Sequence, residues 1–421
     1  MRMPQAFAAL RYRDFRLLWI GQFISMFGVQ LQTVALSWLI YVLTGSTAQL
    51  GGIAIARAVP TVLLSLFGGT LADQVDRRKL LLVTQSTAAT LLLALALLVS
   101  TGRATTLTLY LFAMAISGAM AFDSPARQAL IPALVPRERL TNALTLNVLA
   151  SDSASILGPA LGGVLISTFG TAACFWLNAL TYLLVVVALT LMHPPKQVVA
   201  RDRRSLAALV EGLRFVRQRP ILWQLMLLDF LATALVSSVG LLPVFARDIF
   251  RIGPEGLGWL YTALSVGAVS GELLVAFLRT PQHPGRVMVT VVIGYGLALG
   301  LFGLAPWLPL ALVLLALAGG LDAISMVMRH TVRQLVTPDD YRGRVGALAS
   351  LFALTGPRLG QFQAGLLASV FGARLAMALG GTACVLVAVL SRWWAPGLWA
   401  DDYALGEPAP PQPAHAAASD D

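Results

Sequence analysis

Residues 158–170 read Gly-Pro-Ala-Leu-Gly-Gly-Val-Leu-Ile-Ser-Thr-Phe-Gly, and residues 360–372 read Gly-Gln-Phe-Gln-Ala-Gly-Leu-Leu-Ala-Ser-Val-Phe-Gly. Two glycines spaced five apart, an apolar run and a closing Ser-x-Phe-Gly recur 202 residues later. A second pair repeats at almost the same distance: Arg127-Gln-Ala-Leu-Ile-Pro132 and Arg333-Gln-Leu-Val-Thr-Pro338. A chain that restates itself at half its length is expected to fold as two related bundles, with any binding site between them.

The surrounding composition says what kind of bundles these are. The chain has 421 residues, 57% of them apolar and only 12% charged, with a mean hydropathy of +0.77. Soluble domains carry roughly a quarter charged residues, so an ordinary soluble enzyme is excluded, as is a disordered or fibrous chain. A bilayer core needs about 20 mainly apolar residues per helix. Twelve stretches meet that need: 17–43, 48–71, 80–101, 105–126, 142–168, 171–192, 221–246, 256–278, 287–304, 308–328, 345–369 and 372–394. The first lacks a small-residue cleavage site and leads into another span, so it reads as a retained helix rather than a signal peptide. The fold class expected is an all-α membrane protein of twelve helices in two pseudo-symmetric six-helix bundles.

One long connection divides the spans six and six. The domains expected are an N-terminal bundle at 1–192, a linker at 193–220, a C-terminal bundle at 221–396 and a solvated tail at 397–421. Within the linker, Leu206, Leu209, Val210, Leu213 and Val216 recur at helical spacing opposite basic residues, the pattern of a helix lying on the membrane.

Lys and Arg number 30 against 20 Asp and Glu, a net charge of +10. Such an excess can signal nucleic acid, but here it is topological. Sorted by loop, 24 of the 30 bases fall in one alternating set, Arg329 and Arg333 among them. The opposite set holds only Arg103, Arg247, Arg251 and Arg374, while Arg57 and Arg358 fall inside spans. The positive-inside rule then places both termini in the cytoplasm of a bacterial inner membrane.

Three motifs, each in its expected place, make the chain resemble the major facilitator superfamily over its whole length. Gly69-Thr-Leu-Ala-Asp73-Gln-Val-Asp76-Arg77-Arg78-Lys79 resembles the superfamily loop motif between the second and third helices. Gln74 and Asp76 depart from it where arginine and glycine are usual, and Asp for that glycine is familiar in the enterobactin-exporter-like branch. Leu157-Gly158-Pro159-Ala160-Leu161-Gly162-Gly163 resembles the fifth-helix motif of proton-coupled exporters. Leu18-Trp-Ile-Gly21-Gln22-Phe-Ile-Ser25-Met-Phe-Gly28 is similar to the opening of the same exporter branch, as are Leu43-Thr-Gly-Ser46 and Leu242-Pro243-Val-Phe-Ala-Arg247-Asp248.

The resemblance implies that Asp73 and Arg77, in the motif that opens at Gly69, latch the cytoplasmic faces of the two halves; Asp123, Arg127 and Arg333 read as gate framework, with unrelated end-of-helix anchoring as the competing role. Plain membrane anchoring accounts equally for Arg78 and Lys79. Arg127 follows Asp123 by one helical turn, so a local ion pair is available. A helix start disfavours cations, so the bases at 77–79 gain from a carboxylate or a helix C-terminus elsewhere. Gly158, Gly162 and Gly163 let a neighbouring helix approach closely, and Pro159 removes a backbone donor. Sealing a leak between the halves and ordinary glycine packing are both open readings.

Ionisable groups inside spans cost about 2.5–3.5 kcal/mol each on insertion scales, which makes them functional candidates. Asp322, Asp152, Asp229 and Glu272 are the proton-coupling candidates, because a carboxyl group in an apolar cavity can exchange a proton near neutral pH. Arg57 and Arg358 are their candidate charge partners. His330 reads as interfacial. Gln22, Ser25, Met26, Gln30, Asn147 and Asn178 are candidate lining for an amphipathic substrate, with polar glue between helices as the competing role.

No Gly-x-x-x-x-Gly-Lys-Ser/Thr loop argues for ATP, and four histidines with two separated cysteines offer no metal centre. The chain is expected to be no enzyme and to need no cofactor or metal. It is expected to act as a monomer on a small molecule, with protons and the bilayer as its other partners. The function expected is export of a drug-like or siderophore-like molecule by proton antiport. Proton-coupled uptake and a non-transporting membrane sensor or complex subunit remain as alternatives.

Overall fold

The computed structural model describes residues 5–193, 206–278 and 283–399, and within them the side chains of 5–6, 65–74, 206–210 and 339 lie outside the described ones. The first half holds α1 (Arg13–Thr44), α2 (Thr47–Gln74), α3 (Arg77–Ser100), α4 (Thr106–Met120), α5 (Asp123–Leu134), α6 (Arg137–Phe169) and α7 (Thr171–Leu191). After α8 (Leu206–Gln218), the second half holds α9 (Pro220–Leu235), the single turn α10 (Leu242–Val244), α11 (Gly253–Phe277), α12 (Pro284–Leu304), α13 (Leu308–Val336), α14 (Asp339–Phe371) and α15 (Ala373–Trp394). No strand occurs among the described residues. Among the described residues, ten helical stretches are long and apolar enough to cross a bilayer, α4 and α5 counting as one. The shorter α9 and the 33-residue α14, which carries Arg358, complete the twelve.

The structure differs from the sequence reading at three places. The fourth span breaks at Ala121–Phe122 into α4 and α5. The seventh span ends at Leu235 and resumes at Leu242, followed by a π-helical turn over Phe245–Ile249. Pro243 has no backbone donor to give to a continuous helix, and its ring crowds the preceding turn. The tenth span runs on to Val336. Arg329 and Arg333 are therefore helical residues and not loop bases; the apolar run gives out at Arg329, although the helix does not.

The internal repeat is visible in atomic detail. Gly170 and Gly372, which end α6 and α14, share φ +79°, a left-handed turn that other residues rarely adopt. A Cβ on Gly158 would lie 2.6 Å from Gln30 Cβ on α1, while one on Gly163 would meet Pro254 O on α11 at 2.5 Å. In the other half Gly360 packs on the Thr233 carbonyl of α9, and Gly365 on Thr47 of α2. Each glycine helix thus touches the first helix of its own half and a helix of the opposite half, α6 on α11 and α14 on α2.

The linker helix α8 docks on protein. Val216 is fully buried with Leu222, Val345 and Leu348, and Glu211 accepts a hydrogen bond from Arg344 at 2.9 Å.

Candidate functional site: a charged cavity between the halves

A cavity of 330 Å³ lies where α6, α9, α11, α12, α13 and α14 converge. Asp152 from α6, Glu272 from α11 and Asp322 from α13 open into it, and no basic side chain lines it. The non-helical segment after α9 adds Ser237, Ser238 and Val239, so the Pro243 break brings hydroxyls and backbone to the wall.

Asp229, the fourth acid, does not line this cavity. It is buried on α9 and ion-pairs with Arg329 of α13. The other terminal nitrogen of Arg329 lies 3.9 Å from Asp322, whose side chain is half exposed. Arg329 was absent from the candidates because the sequence reading left it outside the tenth span; its position seven residues after Asp322, on the same helical face, was the available signal.

Arg57 and Arg358 are not partners of these acids. They line a separate pocket of 40 Å³ with Thr33, Ser37 and Tyr261, and neither ion-pairs with a carboxylate among the described residues. Asp229 takes Arg329 instead. Val239 and Gln361 line both the pocket and the larger cavity.

The described polar and glycine contacts between the halves all lie at or beyond the cavity on the side of the α1–α2 turn. Thr262 donates to Ile156 O at 2.9 Å and Ser167 to Glu255 at 2.6 Å. A Cβ on Gly258 would stand 2.6 Å from Pro159 O. Tyr41 donates to Asp248, and Arg247 donates to the Tyr41 carbonyl at 3.1 Å. Close backbone approach lets weak contacts accumulate into a seam.

The family model for transmembrane secretion effectors matches residues 4–410. The chain belongs to the transmembrane secretion effector family. This branch of the major facilitator superfamily includes relatives named enterobactin exporter EntS. The Shigella boydii protein is 31% identical over 380 residues, 89% of this chain and 90% of its own length. The protein of Escherichia coli O127:H6 is 30% identical over the same share. Among solved structures, a bacterial homologue of the lysosomal transporter Spinster, inward-facing and unoccupied, superposes with TM-score 0.70 at 17% identity, covering 92% of this chain and 96% of that one. The nucleoside transporter NupG gives 0.69 at 15%, covering 92% and 98%. The chain is a multi-pass membrane transporter and not an enzyme.

In this secretion effector the remaining candidates fall into two groups. At the α2–α3 end, Asp123 pairs with Arg127 at 2.5 Å and accepts from Gln85 at 2.6 Å. Arg77 donates to Ala129 O at 2.9 Å, tying α3 to α5. Arg78 donates to the carbonyls of Leu189 and Thr190 at the C-terminus of α7, where a cation is favoured. Asp76 caps α3. α2 runs through Gly69 and Asp73, but their side chains lie outside the described residues. Arg333 contacts His330 at 2.9 Å.

None of the candidate lining residues of α1, α6 and α7 borders either cavity. Asn178 is fully buried on α7 and donates to Gln32 at 2.7 Å. Gln22 and Ser25 are buried, and Gln30 packs under Gly158. Neither Met26 nor Asn147 lines either cavity. α1 makes its heaviest contacts with α6 and α7, while its Thr33 and Ser37 line the smaller pocket.

Proposed function

We propose that the protein exports an amphipathic small molecule across the bacterial inner membrane, in exchange for protons, by alternating access. The observation that carries this reading is Arg329, one cation set between buried Asp229 and cavity-facing Asp322. A single guanidinium can neutralise only one of two carboxylates. Asp229 holds it, so the charge of Asp322 is left to a proton or to a donor-bearing part of the substrate. Competition between the two at one carboxylate is what antiport requires. Asp152 and Glu272, on opposite halves of the same cavity, extend the acidic wall.

Contacts at the α1–α2 end and a cavity beneath them support an inward-open state, with both termini and the basic loops in the cytoplasm. Alternation would part the α6–α11 and α2–α14 seams and bring the α2–α3 end together through Asp73, Arg77 and Arg333, with Asp123 and Arg127 as framework. A single chain holds both halves and the cavity, which supports a monomer. The names of the EntS relatives support the export direction and a siderophore-like substrate. Reconstituted protein, given a pH gradient and a panel of dyes, antibiotics and siderophores, should accumulate at least one of them on the acidic side. Accumulation that ignores the gradient contradicts antiport.

A further inference from the structure

We infer that Arg57 and Arg358 form the docking site for an acidic group of the transported molecule, whose donor-bearing remainder lies in the larger acidic cavity. This names a substrate class for the exporter proposed above and rests on that reading.

The two arginines come from opposite halves, α2 and α14, and face the same 40 Å³ pocket. Neither has a carboxylate partner among the described residues, whereas Arg329 of α13 has one. Two guanidinium groups confined together repel, and low surrounding polarity strengthens the repulsion. An anion set between them replaces that repulsion with charge-assisted hydrogen bonds, and the planar guanidinium fork matches a carboxylate geometry.

Size restricts what enters. The pocket exceeds the space of one water but is far below the 300–1,000 Å³ of a drug-sized site. It therefore takes a group and not a whole molecule. Val239 and Gln361 belong to both walls, so the pocket adjoins the 330 Å³ cavity, and the rest of the ligand extends past these two residues. There the ionisable lining is acidic throughout, which suits amine or hydroxyl donors. The polarity of the paired sites fixes the ligand's orientation: acid toward the α1–α2 end, donors toward Asp152, Glu272 and Asp322. Because Arg57 and Arg358 sit on different halves, the bound acid also bridges them.

The probe is benzoate, its carboxylate sized for the pocket and its ring for the cavity beyond. Thermal unfolding of the full chain in nanodiscs of zwitterionic lipid is followed against benzoate, with benzyl alcohol as the neutral match and chloride holding ionic strength constant. The expected result is a saturable rise in midpoint with benzoate alone. R57Q and R358Q should weaken its apparent affinity at least 10-fold, and R358K, which keeps charge without the fork, by less. The midpoint without benzoate reports whether each variant folds, and R358K carries the test if R358Q does not. Three results overturn the inference: no saturable response in the unmodified chain, an equal response in the arginine variants, or a response to phosphatidylglycerol in the discs but none to benzoate. Binding needs no proton gradient. Failed transport with benzoate binding intact contradicts only the proposed function, and intact transport without benzoate binding contradicts only this inference.

Discussion

Arg329 ion-pairs with Asp229 inside the α9–α13 contact while its other amino group stands 3.9 Å from Asp322 at the cavity wall. The pair is buried, so removing one member leaves an uncompensated charge. Arg329→Gln should destabilise the protein by about 3–5 kcal/mol. Adding Asp229→Asn removes the stranded carboxylate and should recover most of that loss. Thermal unfolding of the single and double variants checks both; an Arg329→Gln protein as stable as the unmodified chain would sink the ion pair's structural role.

The α6–α11 seam should be intolerant of side chains. At Gly163 a Cβ would meet Pro254 O at 2.5 Å and Glu255 Cα at 3.0 Å, both on backbone that cannot rotate away. Gly163→Val should cost about 1–3 kcal/mol through overpacking and lengthen the distance between spin labels at positions 169 and 251. Gly343→Ala, where a Cβ meets nothing within 4 Å, should leave that distance unchanged.

Tyr41 and Asp248 bind the halves at the α1–α2 end. Tyr41→Phe deletes one hydrogen bond, worth about 0.5–1.5 kcal/mol, and should shift the closed-to-open ratio at that end by about 2–10-fold. Cys174 and Cys384 are both buried, so a cysteine introduced at Ser37 dominates labelling by a membrane-impermeant maleimide. Its rate should rise by the same factor, and an unchanged rate would mean that this contact does not hold the end closed.

Asn178 and Gln32 join α7 to α1 without reaching a cavity. Asn178→Leu should lower stability by about 0.6–2 kcal/mol and leave the order of substrate preference unaltered in a flux assay. A changed preference order would return Asn178 to the substrate site.

The fold was legible because its decisive features are local. The glycine repeats at 158–170 and 360–372 end in the same positive-φ turn, and apolar length alone marks most of the spans. The acids inside the spans were legible by residue type for the same reason. Their partners were not. Arg329, the partner of Asp229, sits beyond the apolar window that defines the tenth span. No local pattern signals that Arg57 and Arg358, some 300 residues apart in sequence, line one pocket of their own. Composition reports what a helix carries but not which neighbour its face meets: on α1, Gln32 meets Asn178, while Thr33 and Ser37 line the smaller pocket. The break after α9 was signalled by Pro243, yet the apolar run through it reads as one span.

The central claim is that Asp322 couples substrate movement to protons. The direct measurement is gradient-driven flux of a transported panel compound into one proteoliposome preparation, for the unmodified chain and for Asp322→Asn, with downhill exchange recorded in parallel. The account predicts that Asp322→Asn loses gradient-driven accumulation at least 10-fold while folding and exchanging substrate downhill. Accumulation in Asp322→Asn equal to that of the unmodified chain would contradict it, and the same result in single neutralisations of Asp152, Asp229 and Glu272 would contradict proton antiport as a whole.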